Sequence, residues 1–278
     1  MRMAAVMAVI AGGCNGSGEQ RPRSPVGAVS PTTPPPGYRV VDDVRIGSVS
    51  GTVRWRGEVP TAVEVPVLTH RDPCGEVRRI PSAVVGPRGG VAGAVVVLEG
   101  VREGRLPLGG EIRFVFSGCE LSPRVAVASV GATLRFENQE ALLHNVRILF
   151  GRETWLDVGL PQRGSTIDAT ARVGIHRIVD DAAHPWIESW LYVTEHPYVV
   201  VTDAEGRFQL PRVPVGSYQL RLWHPGIVLP GQTSSGRPAR SAPIVLARPI
   251  SVAEAADSTT DFELDATSIE AAGAVAPF

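Results

Sequence analysis

The sequence predicts an all-β protein, a larger β-sandwich followed by a smaller one, and three observations carry that prediction. Short runs alternate apolar and polar residues at every second position, as in residues 51–56 (GTVRWR), which sets one face of a strand on a core and the other in water. Gly, Pro and Asp bound these runs, and 30 glycines with 24 prolines supply turns for many strands. No stretch of about ten residues repeats with the helical period, so helix is confined to a turn or two.

The body opens at residues 51–56 and continues with a Val-rich run at 91–98 (VAGAVVVL), apolar enough for a buried strand. Residues 111–116, 125–128, 133–136 and 145–149 follow as strands of ordinary length. Residues 166–171 and 173–179 form a pair with Gly174 near the hinge, and 190–193 leads into His196-Pro197, which closes the first sandwich. The second begins with 199–202 and 208–210 around a hairpin turn from Asp203 to Gly206, then Gly216 turns the chain into 217–224. A Gly-, Ser- and Pro-rich loop at 230–238 separates these from strands at 244–247, 250–252 and 260–264. The expected organisation is a leader at 1–14, a disordered Pro- and Ser-rich linker at 15–45, a first domain at 46–195, a second at 196–267 and a flexible tail at 268–278.

The leader reads MRMAAVMAVIAGGCNGSG: a positive residue, a short apolar core, then small residues ending at Cys14. That is the layout of a bacterial lipoprotein signal, with an ordinary signal peptide and a chance cysteine as the alternative. Lipid on Cys14 would make the membrane a partner, since no other stretch approaches the ~18 apolar residues that span a bilayer. The protein is therefore expected to be exported, in the periplasm or at the cell surface. In such an oxidising compartment the other two cysteines, Cys74 and Cys119, pair most simply as a disulfide; two free thiols are the other reading. Charge is balanced, 27 basic against 28 acidic side chains, which excludes the footprint of a nucleic-acid partner.

Residues 179–198 (VDDAAHPWIESWLYVTEHPY) hold an unusual density of polar and aromatic groups. Asp181 and His184 lie in a tight loop after a strand, and His144, at the start of another strand, can reach the same end of a sandwich. Two imidazoles and a carboxylate converging there suit Zn²⁺ or Cu²⁺, which accept nitrogen and oxygen ligands together. Asp180 beside Asp181 could form a carboxylate pair for acid–base work, but adjacent strand residues point to opposite faces, so a solvated loop is expected instead. His196 and His224 precede proline and read as turn residues, and His176 lies in the strand before the loop. Trp186, Trp190 and Trp223 read as packing, an exposed pair being the condition for a sugar platform. No Gly-x-Ser-x-Gly elbow, His-Glu-x-x-His or phosphate-binding glycine loop occurs, so no enzyme is expected.

Across residues 46–195 the chain resembles the plastocyanin-like cupredoxin domain of secreted bacterial proteins labelled methylamine-utilisation-like. In that family a strand runs from a glycine into Cys-Asp-x-His-Pro-Trp-Met, and an upstream His-Asn-Val supplies a further ligand. Here Gly174 leads to Asp181-Ala182-Ala183-His184-Pro185-Trp186-Ile187, and His144-Asn145-Val146 stands upstream. Cys74 and Cys119 fall where the family also carries a Cys-Gly and a Gly-Cys. The resemblance implies a copper site, but the thiolate position is Asp181 and the thioether position Ile187, and a blue-copper centre depends on its sulfur. Three accounts stay open. The ligands have drifted and bond locally with no cofactor; or His144, Asp181 and His184 hold zinc or a non-blue copper; or a blue-copper carrier draws sulfur from elsewhere.

Residues 196–223 are similar to the carboxypeptidase regulatory-like, or transthyretin-like, sandwich, a prealbumin/Ig-like fold. The matching positions are Val201, Asp203, Gly206 and Phe208, then Val213, Gly216 and Tyr218, then Leu220 and Trp223. The resemblance implies a stalk, spacer or sugar-binding relative. A Lys–Asn isopeptide crosslink is excluded, because every basic residue is arginine. The expected function is a non-catalytic, envelope-anchored binding or scaffold lipoprotein with a protein or glycan partner. Its rivals are a mononuclear zinc or copper protein, a periplasmic copper electron carrier and a carbohydrate-binding surface module.

Overall fold

The computed structural model describes residues 37–41, 45–107, 109–234 and 236–265. The expected leader, the lipidation at Cys14, residues 15–36 of the linker and the tail at 268–278 lie outside the described residues. No helix among the described residues is long and apolar enough to cross a membrane.

The chain starts with β1 (Arg39–Val40), β2 (Ile46–Trp55), β3 (Val63–Pro66), the one-turn α1 (Arg71–Cys74), β4 (Val77–Ile80), β5 (Val95–Glu99) and β6 (Glu103–Gly104). It continues with β7 (Glu111–Ser117), β8 (Glu120–Ser122), β9 (Val125–Ser129), β10 (Thr133–Asn138), β11 (His144–Phe150), β12 (Glu153–Leu160), β13 (Thr166–Thr170), β14 (Gly174–Val179) and β15 (Glu188–Thr194). The last group is β16 (Val199–Val201), β17 (Arg207–Pro214), β18 (Gly216–His224), β19 (Val228–Ser234), β20 (Arg237–Arg240), β21 (Ile244–Val252), β22 (Asp257–Thr259) and β23 (Phe262–Leu264).

The all-β expectation holds. Strands β7 to β15 make a β-sandwich, with β13-β10-β7-β8 in one sheet and β12-β11-β14-β15-β9 in the other. Its core is filled by the inward residues of each alternation, among them Phe114, Phe116, Phe136, Val146, Ile148 and Ile178. The same register sets the site: along β11, residues 144, 146 and 148 face in, so His144 enters the core on the face of Val146 and Ile148.

The second sandwich packs β16-β5-β18-β21 against β17-β2-β22, with β23 also on β2. Its buried centre includes Val49, Val53, Leu98, Phe208, Leu222 and Phe262. This overturns the expected boundary at 195/196. β2 and β5, both inside the segment 46–195 assigned to the first domain, are interior strands of the second sandwich, paired to β17 and β18. β5 and β16 are antiparallel neighbours, with Val97 opposite Val199, so the whole first sandwich is inserted between two adjacent strands of the second. An insertion whose ends lie side by side leaves the host sheet intact. Gly206 serves its expected turn: its φ is +77°, and a Cβ there would sit 2.2 Å from the Val53 carbonyl oxygen.

Between β2 and β5 a strap carrying β3, α1 and β4 leaves its own sandwich and buries Val63, Val67, Cys74 and Ile80 in the core of the other. The Cys74–Cys119 disulfide pins it there, with the two Cα atoms 5.6 Å apart. Two further expectations change. Order begins within the expected 15–45 linker, since Tyr38 is 7% exposed in the second core and β1 pairs with β6. The loop expected at 230–238 is mostly a hairpin, β19 against β20.

Candidate metal centre

β14 ends at Val179, and the inward register of His176 and Ile178 runs on to Asp180. Three side chains, His144, Asp180 and His184, are 0% exposed and meet here, with one ligand atom from each inside a span of 4.8 Å. Asp180 Oδ2 lies 2.6 Å from His144 Nδ1 and 2.8 Å from His184 Nδ1. Its Oδ1 accepts the backbone N–H groups of Asn145 at 2.9 Å and Ala182 at 2.8 Å. Burial, the largest effect on this carboxyl, favours its neutral form; the bonds from His144, His184, Ala182 and Asn145 together outweigh it and hold Asp180 well below the usual carboxylate range. An ionised carboxylate only accepts, so both Nδ1 atoms carry protons and donate to one oxygen.

The network extends at both ends. His144 Nε2 lies 2.9 Å from Glu140 Oε2, and Glu140 also accepts the Cys119 backbone N–H at 3.0 Å. At the other end His70, exposed on the strap just before α1, brings Nδ1 to 3.2 Å from His184 Nε2. Phe116 stacks on the His144 ring at 4.3 Å between centroids, and Trp186 meets His184 edge-on. Trp186 Nε1 donates to the Cys119 carbonyl at 2.9 Å, so the disulfide half Cys119 anchors both Glu140 and the wall of the site. Ala183, at φ +68°, curls the loop so that the Ile187 N–H reaches the His184 carbonyl at 3.0 Å.

His144 and His184 are neighbours, and the carboxylate that stands with them is Asp180 in place of the expected Asp181. Asp181 points outward on the opposite face from Asp180, as adjacent residues must. It pairs with Arg147 at 2.9 Å and with Arg237 of β20 at 2.5 Å. Burial pushes its carboxyl up and the two arginines pull it further down, leaving it lowered. Arg237 also donates to the carbonyls of Asp180, Pro185 and Ile187, clamping the loop from the second sandwich. Adjacent residues do face opposite ways, and counting on from His176 and Ile178 makes Asp180 the inward acid and Asp181 the outward one. Glu140 had a signal too, four residues before His144. His70 had none beyond standing close to Cys74.

No protein-family model matches the chain, and no curated protein matches it in sequence. Among solved structures it is similar to a copper-containing nitrite reductase from Thermus scotoductus SA-01, at 19% identity over 32% of this chain and 23% of that one, with a TM-score of 0.27. It is also similar to a purple cupredoxin from Nitrosopumilus maritimus, at 14% identity over 30% of this chain and 98% of that one, TM-score 0.26. Auracyanin A, a blue copper protein from Chloroflexus aurantiacus, shares 17% identity over 31% of this chain and all of its own, TM-score 0.25. At such values nothing about this chain's own metal follows from them.

The donors decide what the centre can hold. Two imidazole nitrogens and a carboxylate oxygen match zinc or non-blue copper in type. Sulfur is missing: the thiolate position is the outward Asp181, and the thioether position is Ile187, buried as hydrocarbon. Blue copper does not fit. Ligands at about 2.0–2.1 Å from a tetrahedral ion stand about 3.3 Å apart, whereas the contacts at 2.6 and 2.8 Å are hydrogen-bond lengths. Metal entry therefore requires both Nδ1 protons to leave and Asp180 to draw back from the rings.

His176, His196 and His224 stand apart from this centre. His176 is held between the Arg172 carbonyl at 2.7 Å and Trp155 Nε1 at 3.1 Å, so its role is packing within the sheet. Trp186 and Trp223 are buried and Trp190 half-buried, so no exposed tryptophan pair forms a sugar platform.

Proposed function

We propose that this chain is a non-catalytic binding and scaffold protein of the cell envelope, in which a cupredoxin-like frame has been closed by an internal carboxylate. The observation that carries this reading is Asp180 Oδ2, bonded to both Nδ1 atoms at 2.6 and 2.8 Å while Oδ1 is fixed by two backbone N–H groups. Every strong acceptor position on that carboxylate is used, so the pair of histidines that would grip a metal grips Asp180 instead. The lipoprotein-like leader supports anchoring at the membrane, and the disulfide supports an oxidising compartment. The partner would be a protein or glycan met at the envelope.

A second reading has an observation of its own. Three buried ligand atoms within 4.8 Å are a group that can bind zinc or non-blue copper once the two protons are lost. His144 and His184 would then donate nitrogen and Asp180 oxygen, and the metal would act as a structural clamp or Lewis acid.

Calorimetric titration with Zn²⁺ and Cu²⁺, with electron paramagnetic resonance on the copper samples, separates the two. The scaffold reading expects no stoichiometric uptake. One-to-one binding that is lost in His144→Ala and in Asp180→Asn, but kept in Asp181→Asn, replaces it with the metal reading.

A further inference from the structure

A cleft lies between the two sandwiches, and buried polar side-chain atoms without partners stand at it. A cavity of about 270 Å³ is lined by Arg124, Glu188, Trp190, His224 and Arg240, with the strap along one side. Trp190 Nε1 and His224 Nδ1 are buried without a partner, and so is Nε1 of Trp223, whose ring meets Trp190 edge-on at 5.5 Å between centroids. His224 itself is 4% exposed. Native proteins rarely bury such groups unpaired, and two of the three, on Trp190 and His224, belong to residues that line the cavity.

The charges point the same way. Each oxygen of Glu188 is already bonded to an arginine, Oε1 to Arg177 at 2.6 Å and Oε2 to Arg240, which also donates to the Gly226 carbonyl. Arg124, an exposed residue of the cavity lining, makes no side-chain hydrogen bond to another described residue. Glu120, which it faces electrostatically, is taken by Arg78 at 2.7 Å. Three arginines thus surround one carboxylate. A neutral sugar brings donors as well as acceptors and would leave the surplus in place; a carboxylate brings acceptors alone and carries the missing charge.

We infer that this cleft binds a small carboxylate, gripped by the guanidinium groups of Arg124 and Arg240, with the indole N–H of Trp190 as a third donor. The volume is below the ~300 Å³ at which drug-sized pockets begin, which restricts the ligand to a short acid. Clefts at domain boundaries are a preferred place for such sites. The inference stands apart from the metal question, because none of its residues belongs to the His144–Asp180–His184 centre.

The test is calorimetry and tryptophan fluorescence on the full-length protein, in the presence of a chelator so that no metal-bound anion is read. The probes are acetate, succinate and benzoate, with succinamide as the neutral counterpart of succinate. At least one acid is expected to bind one-to-one within the about millimolar range, with succinamide about tenfold weaker or more if succinate is the ligand. Arg124→Gln should weaken binding about tenfold and Trp190→Phe by a smaller factor, while Arg113→Gln on β7 leaves it unchanged; circular dichroism checks that each variant is folded. Failure of all three acids to bind, equal binding of succinamide, or full binding by folded Arg124→Gln overturns the proposal.

Discussion

Asp180 and Asp181 are neighbours with opposite energetics. Asp180 is fully buried and each of its oxygens is paired twice, so removing its charge leaves two imidazole N–H groups facing a weaker acceptor in a dry site. Breaking a buried charged pair costs about 3–5 kcal/mol, and Asn retains part of the bonding, so Asp180→Asn should lower stability by about 2–3 kcal/mol. The Asp181 side chain is 36% exposed, and its ion pairs are screened by water. Asp181→Asn should cost under about 1 kcal/mol. Urea unfolding at neutral pH ranks the two; equal losses would mean that the buried network does not organise the loop. Acid acts through other side chains first. Burial lowers His196 to about 4 and His224 to about 3, from an ordinary 6.5. A folded pKa below the unfolded one means the unfolded chain binds more protons, so stability is complete above 6.5 and falls as pH drops toward those values. The lowered Asp180 adds its own loss only beneath the ordinary carboxylate range. The urea midpoint should therefore decline steadily from about pH 6.5 to about pH 4, and His224→Phe should flatten the slope; a flat profile in the parent protein would contradict the burial of both imidazoles.

The strap shows how one covalent bond sets a site at a distance. It buries few apolar side chains of its own, and its hairpin, β3 with β4, is only four residues long on each side. What fixes it over the loop of His184 is Cys74–Cys119, closing 45 residues. On the chain-entropy model a loop of that length is worth about 4 kcal/mol. The double variant Cys74→Ala with Cys119→Ala should lose about 2–4 kcal/mol, and amide exchange should rise first in residues 63–80 and in the loop at 180–187. Protection that stays unchanged in that loop would show that the strap rests on the site without supporting it. Cysteine arithmetic made the bond legible in the sequence. Its consequence was not, because no periodicity in residues 56–94 says which sandwich the strap covers, and the contact of His70 with His184 depends on that alone.

Strand existence was readable through most of the chain because alternation is local, while pairing was not, because it joins residues far apart. Residues 51–56 and 91–98 read as strands from their own pattern, yet most of their ladder partners stand at residue 199 and beyond, past the whole inserted sandwich. The resemblance over 196–223 pulled the boundary to 195/196, since the motif it rests on is continuous there. The consequence can be tested on fragments. β5 lies between β16 and β18, and β2 lies between β17 and β22, so residues 196–278 alone lack an interior strand from both of their sheets. They also lack Val49, Val53, Val96 and Leu98, each 3% exposed or less in the full chain, so the remaining strands would present unpaired edges and half a core to water. Fully burying one such side chain contributes about 1.5–3 kcal/mol, and losing four of them removes a large part of the net stability of about 5–15 kcal/mol usual for a domain. Residues 196–278 expressed alone should give a collapsed, poorly dispersed nuclear magnetic resonance spectrum, and addition of a fragment spanning 37–105 should restore dispersion by supplying β2 and β5. A well-dispersed spectrum from 196–278 by itself would return the boundary to 195/196 and make β2 and β5 accessory strands.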